Sequence, residues 1–197
     1  MKELIVATKN EGKVEEFRSM FSKYNIAVKS LLDIDRSIEI DETGSTFEEN
    51  ATIKAEEMSE YLGLPVVADD SGLEVDALNG KPGVYSARYA GIEKDDDKNT
   101  EKLLKNLEKV DDQKRTARFV CAVAVARPGE KTFVERGTCE GTIARDPQGT
   151  NGFGYDPVFI PEGSTRTMAE HSSDEKNAIS HRYHAIEKIE EWLKTQS

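Results

Sequence analysis

Apolar side chains return along this chain at two different intervals, and these intervals predict alternating strands and helices. Residues 4–8 form a short apolar run rich in β-branched side chains, which predicts a buried strand. Polar residues 9–13 follow, and apolar positions then return at helical spacing. Those positions are Val14, Phe17, Met20 and Phe21. The chain is therefore predicted to open as a strand, a polar loop and a helix.

A second helix is predicted by a start signal, an apolar stripe and a stop signal. Thr46 and Glu49 have the capping-box spacing, in which a hydroxyl and a carboxylate bind the amides at a helix start. The stripe consists of Phe47, Ala51, Ala55, Met58 and Leu62. Gly63 is expected to end this helix, and residues 66–68 then predict a buried strand that ends at residues 69–72.

The rest of the chain continues the alternation. Residues 98–110 predict a helix, and residues 118–126 and 132–144 predict two strands joined by a turn. A glycine-rich loop at 149–156 precedes a final helix, whose apolar stripe is Tyr183, Ile186, Ile189 and Leu193. This order indicates an α/β fold with a mixed sheet, and 197 residues fit one domain over residues 1–197.

The charge, the apolar stretches and the cysteines of the chain exclude some classes of partner and location. The formal net charge of -11 argues against binding a nucleic acid polymer, because such binding requires a broad basic face. The longest apolar stretch is far shorter than the roughly 20 residues of a membrane-spanning helix, and the four-residue apolar run near the start is shorter than a signal peptide is expected to need. No membrane or export role is expected. The two cysteines, Cys121 and Cys139, form no disulfide framework, which fits the cytoplasm.

The first candidate for chemistry is the loop between the first strand and the first helix. Its residues are Thr8, Lys9, Asn10, Glu11, Gly12 and Lys13. A helix start offers unpaired amides and positive potential to phosphate oxygens. In a helical continuation Lys9 and Lys13 would face the same anion, since they are four residues apart. The spacing of a P-loop is absent, and an ordinary polar connection is the alternative.

The second candidate is the pair Asp69 and Asp70, directly after residues 66–68. Ligands bind at the carboxyl ends of strands in open α/β sheets, and neighbouring strand residues point to opposite faces. One carboxylate is therefore expected to enter the site, where it could hold Mg²⁺ or accept a proton from water. Asp41 and Glu42 offer a second carboxylate. An acidic β-turn is the alternative for the pair.

Two further candidates lie near the end of the chain. Glycines on both sides of Phe153 free the backbone around a ring that could stack on a base. Lys176, His181 and Arg182 supply donors, and the fork of Arg182 suits a carbonyl oxygen or a phosphate. The alternatives are a plain loop with a core phenylalanine and a surface His–Arg pair.

Six strings along the chain, taken in order, carry a resemblance to a known family. They occupy residues 8–13, 42–51, 68–73, 82–89, 152–157 and 176–182, and read TKNEGK, ETGSTFEENA, ADDSGL, PGVYSARY, GFGYDP and KNAISHR. With this ordered set the chain resembles the inosine triphosphate pyrophosphatase family over nearly its whole length. The resemblance implies an elongated mixed β-sheet flanked by helices, two lobes with a central cleft, and a homodimer.

The resemblance also implies an activity and roles for residues. Its members use Mg²⁺ to split ITP, dITP or XTP into a monophosphate and pyrophosphate. By motif, Asp70 would be the general base and a magnesium contact, and Ser71 a substrate contact. The loop from Thr8 to Lys13 would hold phosphates. The residues expected to hold the nucleoside are Phe153, Gly154, Tyr155, Asp156, Lys176, His181 and Arg182. The family usually has Glu where Asp41 stands, so Asp41 is expected to reach magnesium directly or through a water.

Base choice and reaction class leave alternatives open. Arg182 and His181 could donate to O6 of hypoxanthine or xanthine, whereas the amino group of adenine would leave such donors unpaired at about 1–3 kcal/mol each. Guanine also carries O6, and no residue in the sequence identifies what rejects GTP. The alternatives are a pyrophosphatase for other modified nucleotides and a nucleotide-binding sensor without catalysis. A haloacid-dehalogenase-type phosphatase is disfavoured, because its Asp-x-Asp-x-Thr pattern is absent.

Overall fold

The computed structural model describes residues 3–22, 25–35 and 37–195, and of residues 191–195 it describes the backbone alone. The strands in these residues are β1 (Glu3–Val6), β2 (Ala27–Ser30), β3 (Val66–Val75), β4 (Thr116–Ala126), β5 (Phe133–Ile143) and β6 (Phe159–Pro161). The α-helices are α1 (Glu11–Ser22), α2 (Leu31–Ile34), α3 (Phe47–Leu62), α4 (Asp96–Asn106), α5 (Ser173–Ile179) and α6 (His181–Thr195). The side chain of Leu193, predicted to complete the last apolar stripe, lies outside this description.

The strands form a mixed sheet, as the alternation of elements predicted. The strand order is β2-β1-β3-β4-β5-β6. Strand β1 is parallel to both β2 and β3, whereas β5 and β6 are antiparallel. The α/β class is therefore confirmed. Among the residues described, none of the helices combines the length and the apolar character needed to cross a bilayer.

The register of β1 and β3 brings the first two candidate segments to the same level of the sheet. Val6 pairs with Val67, so Thr8 and Asp69 each lie two residues beyond a paired position. The prediction that β3 ends at residues 69–72 is wrong, because the strand continues to Val75. Leu73 and Val75 in its second half are both buried, and the packing of these two side chains stabilises the extended conformation.

Helix α3 has the predicted ends. The hydroxyl of Thr46 accepts a hydrogen bond from the backbone N–H of Glu49, and Gly63 adopts a left-handed conformation with φ of 65°. The carboxylate of Glu49 accepts hydrogen bonds from the amide and hydroxyl of Ser45. A cap at each end thus fixes the length of the helix that carries two residues of the candidate site.

The chain divides into two compact units, each with its own apolar core. Unit 1 contains Met1–Asp70, Cys121–Gly137 and Arg182–Ser197, and unit 2 contains Ser71–Val120 and Thr138–His181. The core of unit 1 is built mainly from Val6, Phe17, Phe21, Val67, Val123 and Ile186. The core of unit 2 is built mainly from Leu73, Leu103, Leu107, Phe119, Val158 and Phe159. The single domain over residues 1–197 stays a prediction.

Candidate active site

The segment after β1 is a capped helix start. The side chain of Asn10 accepts a hydrogen bond from the backbone N–H of Lys13 at 3.0 Å, and the Asn10 carbonyl accepts from Val14. The hydroxyl of the buried Thr8 accepts from the amide of Asn10 at 3.2 Å. Thr8 to Asn10 therefore form the loop, and Glu11, Gly12 and Lys13 form the first turn of α1. This end of α1 carries positive potential from its aligned peptide dipoles.

The two lysines of this segment have different surroundings. Lys13 lies in the first turn of α1, and its Nζ is 3.0 Å from Asp69 Oδ2. Lys9 precedes the helix, so the premise of a helical continuation through both lysines is wrong. Hydrogen bonds from Ser37 lower the pKa of Asp35, and the charge of Lys9 lowers it further. Contact of both lysines with one anion stays a prediction.

Asp69 is the centre of a buried charge cluster in unit 1. Its Oδ2 accepts hydrogen bonds from Arg182 Nη2 at 2.9 Å and from Lys13, and Arg182 also binds the carboxylate of Glu16. Burial alone would raise the pKa of Asp69, but the charges of Lys13 and Arg182 hold it far below its usual range. Asp69 is therefore an ionised group that holds two cations in place.

Asp70, the next residue, has a different set of partners. The residue is 6% exposed, and its Oδ2 accepts a hydrogen bond from Asn50 Nδ2 at 3.0 Å. Lys54 Nζ is 3.9 Å from Asp70 Oδ1 and 2.5 Å from an oxygen of Glu42. Burial raises the pKa of Asp70, although the charges of Lys54 and Lys13 oppose the rise. A carboxylate with a raised pKa is a better proton acceptor.

Glu42 is the acidic residue that shares a partner with Asp70. Asp41 is exposed, whereas Glu42 is half-buried and bound to Lys54. No group of three or more His, Cys, Asp or Glu side chains is arranged to hold a metal within the described ranges. Two carboxylates are nevertheless sufficient for Mg²⁺, which keeps several waters and also binds substrate phosphates. The donor set of Glu42 and Asp70 therefore fits this ion.

Lys54 and Asn50 are site residues that the sequence interpretation missed. Both are buried on α3, and both contact the side chains around Asp70. Lys54 stands at helical spacing from Phe47 and Met58, on the face of α3 that the sequence pattern predicts to be apolar. A long cation at a core position is rare unless it is paired, and this exception could have identified Lys54 from the sequence.

In unit 2 a buried ion pair joins α5 to the glycine-rich loop at residues 149–156, which contains Phe153. Lys176 Nζ is 2.7 Å from Asp156 Oδ2 and 4.6 Å from the centre of the Phe153 ring. The same oxygen of Asp156 accepts the N–H of Phe153 at 3.0 Å. A Cβ on Gly152 would lie 2.0 Å from that oxygen, so this turn requires glycine. Asp156 therefore holds the backbone at Phe153 and the ammonium group of Lys176.

The neighbouring residues of this loop are also held by the protein. The buried Tyr155 donates its hydroxyl to the carbonyl of Ser86 at 2.7 Å, and burial raises the pKa of that phenol. The N–H of Gly154 donates to Asp96 Oδ2 at 2.8 Å. Tyr155 thus anchors the loop from the inside, while Phe153 is half-buried and Gly154 is linked to α4.

The remaining predicted residues lie on β3 and at the start of α6. Ser71 is half-buried on β3, directly after Asp70. The ring of His181 stacks on Phe119 with 5.0 Å between centres. Arg182 is 0% exposed and binds Asp69 and Glu16. Contact of Arg182 with a base stays a prediction, and it would require the guanidinium group to leave these carboxylates.

Comparison with known proteins gives a consistent result over the whole chain. The model of the Ham1 family matches residues 4–192. A dITP/XTP pyrophosphatase of Halalkalibacterium halodurans is 57% identical over 193 residues, which cover 98% of this chain and 100% of that protein. A dITP/XTP pyrophosphatase of Bacillus licheniformis is 59% identical over 189 residues, 96% of each chain. The Ham1 protein of Staphylococcus aureus has a similar structure, with a TM-score of 0.87, 44% identity and coverage of 100% of both chains.

Proposed function

This chain belongs to the Ham1 family, and we propose that it hydrolyses the deaminated purine nucleotides ITP, dITP and XTP to a nucleoside monophosphate and pyrophosphate. The names of its relatives support dITP and XTP as substrates. The observation that carries the proposal is the buried carboxylate Asp70, which has a raised pKa and lies beside Lys54. A group of this kind suits the activation of water beside an anionic substrate.

Phosphate binding is assigned to the start of α1. Thr8, Lys9, Asn10, Glu11, Gly12 and Lys13 make up this segment. Its backbone amides point along the helix axis, and Lys13 adds a cation that Asp69 holds at 3.0 Å. The ion pair with Asp69 restricts the lysine before substrate arrives, so less side-chain entropy is lost on binding.

Asp70 is assigned the role of general base. It orients a water and removes its proton as the water attacks the α-phosphorus, and pyrophosphate leaves. Without a bound ion, burial raises the pKa of this carboxylate, which strengthens it as a base. Lys54, held between Glu42 and Asp70, adds positive charge near the developing negative charge.

We assign a magnesium site to Asp70 and an acidic residue of residues 41–42. The bound ion would neutralise phosphate charge and act as a Lewis acid. Glu42 has the better geometric support, because it shares Lys54 with Asp70. The resemblance instead names Asp41, which would contact the magnesium ion directly or through a bridging water.

Nucleoside binding is assigned to residues of unit 2 and the start of α6. Phe153 is the stacking surface, with Ser71, Gly154, Lys176 and His181 as polar contacts. Tyr155 and Asp156 are buried and act through the loop they anchor. Arg182 is assigned to this group by resemblance, while its contacts favour a role in holding Asp69.

The assembly and location are part of the same proposal. We expect a homodimer in the cytoplasm, where the two cysteines, both free and buried, would stay reduced. Light scattering coupled to gel filtration gives the mass directly. A monomeric mass at micromolar concentration would contradict the dimer and leave the activity untouched.

A product assay with matched substrates tests the function. Pyrophosphate and orthophosphate release should be followed separately with dITP, XTP, dGTP and dATP, in Mg²⁺ and in EDTA. The expected result is pyrophosphate from dITP and XTP, in Mg²⁺ only. Orthophosphate as the first product would exclude attack at the α-phosphorus, and equal rates with dATP would exclude the purine selectivity. Tight binding without any turnover would favour a sensor.

A further inference from the structure

Asn50 is a buried amide that connects two parts of unit 1. It lies on α3 and is 1% exposed. Its Oδ1 accepts the backbone N–H of Gly44 at 2.7 Å, and its Nδ2 donates to Asp70 Oδ2 at 3.0 Å. One side chain therefore contacts both the segment that precedes α3 and the carboxylate proposed as general base.

The chemistry of the two partners fixes the orientation of this amide. The N–H of Gly44 can only donate, so the oxygen of Asn50 must face it. The NH₂ group then faces Asp70 and donates to one oxygen of that carboxylate. Lys54 lies on the side of the other oxygen, Oδ1, at 3.9 Å. The amide of Asn50 and the ammonium group of Lys54 therefore approach different oxygens of the Asp70 carboxylate.

We propose that Asn50 is a positioning residue. It sets the orientation in which the Asp70 carboxylate accepts a proton from the attacking water. This inference rests on the proposed function of Asp70. Asn50 also links Asp70 to Glu42, since Gly44 and Glu42 belong to the same short segment. The approach at Gly44 is close: a Cβ there would lie 2.7 Å from Asn50 Oδ1. Two hydrogen bonds therefore connect the segment, the amide and the carboxylate.

Asn99 offers a matched control within the same chain. It is 2% exposed, accepts the N–H of Ala90 at 2.6 Å and donates to the carbonyl of Ala87 at 2.9 Å. Asn99 thus accepts one backbone N–H and donates one hydrogen bond, as Asn50 does, but its NH₂ group donates to a backbone carbonyl instead of a carboxylate. Replacement of either residue disturbs a buried amide, and only replacement of Asn50 disturbs Asp70.

The test compares Asn50→Asp with Asn99→Asp, and Asn50→Ala with Asn99→Ala. The aspartate variants keep the shape of the side chain and its acceptor oxygen. They replace the NH₂ donor with a second carboxylate oxygen. With dITP as the probe, Asn50→Asp and Asn50→Ala should lower kcat by roughly 10–100-fold while KM changes less than about threefold. The Asn99 variants should keep kcat within about twofold. Thermal unfolding of all four shows whether each is folded.

Crystal structures of the two alanine variants provide a readout that does not require activity. The Asp70 side chain should leave its present orientation in Asn50→Ala and keep it in Asn99→Ala. An unchanged Asp70 orientation in Asn50→Ala would overturn the inference, whatever the assay shows. Normal kcat in folded Asn50→Ala would overturn it as well. If the unsubstituted protein releases no pyrophosphate, the proposed function fails, and the crystal comparison still decides whether Asn50 orients Asp70.

Discussion

Asp69 and Asp70 are adjacent and buried on β3, yet their hydrogen-bond partners and the directions of their pKa shifts differ. Asp69 has no exposed surface and binds two cations, Lys13 and Arg182, so its pKa lies far below the usual range in spite of burial. Asp70 is nearly as buried, but its Oδ1 is 3.9 Å from Lys54 Nζ, its Oδ2 accepts a hydrogen bond from a neutral amide, and its pKa is raised. The difference arises because successive strand residues point to opposite faces.

This contrast separates two tasks that a phosphate-cleaving site requires. An ionised carboxylate with two cations is a poor base, but it holds those cations where they are needed. A carboxylate with weaker charge compensation binds a proton more readily and can accept one from water. One strand therefore supplies both a structural anion and a proposed base, and the assignment can be tested by exchanging each carboxylate for an amide.

The largest expected effect is on turnover in Asp70→Asn. The amide cannot accept a proton from water, so kcat should fall by roughly 10²–10⁴-fold with little change in nucleotide binding. Steady-state kinetics and calorimetric titration with dITP in Ca²⁺ measure the two quantities. Asp95→Asn is the control, because Asp95 caps α4 and asparagine caps equally well. A near-normal rate in Asp70→Asn would remove Asp70 from the role.

The second effect is on stability, and it should be specific to Asp69→Asn. Loss of this charge leaves two buried cations with less compensation, which costs about 3–5 kcal/mol of unfolding free energy. Asp70→Asn should leave that free energy unchanged or raise it, since the raised pKa means that the folded state disfavours the ionised form. Urea unfolding at neutral pH in EDTA makes the comparison. Equal losses in both variants would refute the division of tasks.

The smallest effect is the pH dependence of these stability differences. A lowered folded pKa stabilises the protein above the unfolded pKa, and that contribution is lost as pH falls through the folded value. The gap between the unsubstituted protein and Asp69→Asn should therefore stay constant from pH 7 to about pH 5 and narrow below about pH 4.

Asp70 should show the opposite sign. Its raised folded pKa means that its contribution is fully present below the unfolded pKa and is lost as pH rises through the folded value. The unsubstituted protein should therefore gain stability relative to Asp70→Asn as pH falls from neutrality towards about pH 4. Urea midpoints at stepped pH values in EDTA measure both trends, and two parallel trends would contradict the contrast.

Much of the fold could be predicted because it depends on local signals. The first strand, predicted at residues 4–8 and found at Glu3–Val6, follows from the spacing of apolar residues. The cap at Thr46 and the stop at Gly63 follow from the conformations that these residue types favour. The end of β3 could not be predicted in this way. The residues Asp-Asp-Ser-Gly favour a β-turn when considered alone. The burial of their neighbours Leu73 and Val75 keeps the chain extended instead.

The sequence by itself determined the main alternation of strands and helices, the α/β class and the family, since periodicity, caps and ordered motifs are properties of the linear chain. The short elements β2, α2, α5 and β6 were not predicted. Only the tertiary structure decided the partners of each charge. It placed Arg182 on Asp69, Lys54 between Glu42 and Asp70, and Asn50 between Gly44 and Asp70. The physical reason is that burial and charge compensation depend on distances between residues remote in sequence, and those distances set the pKa of each carboxylate.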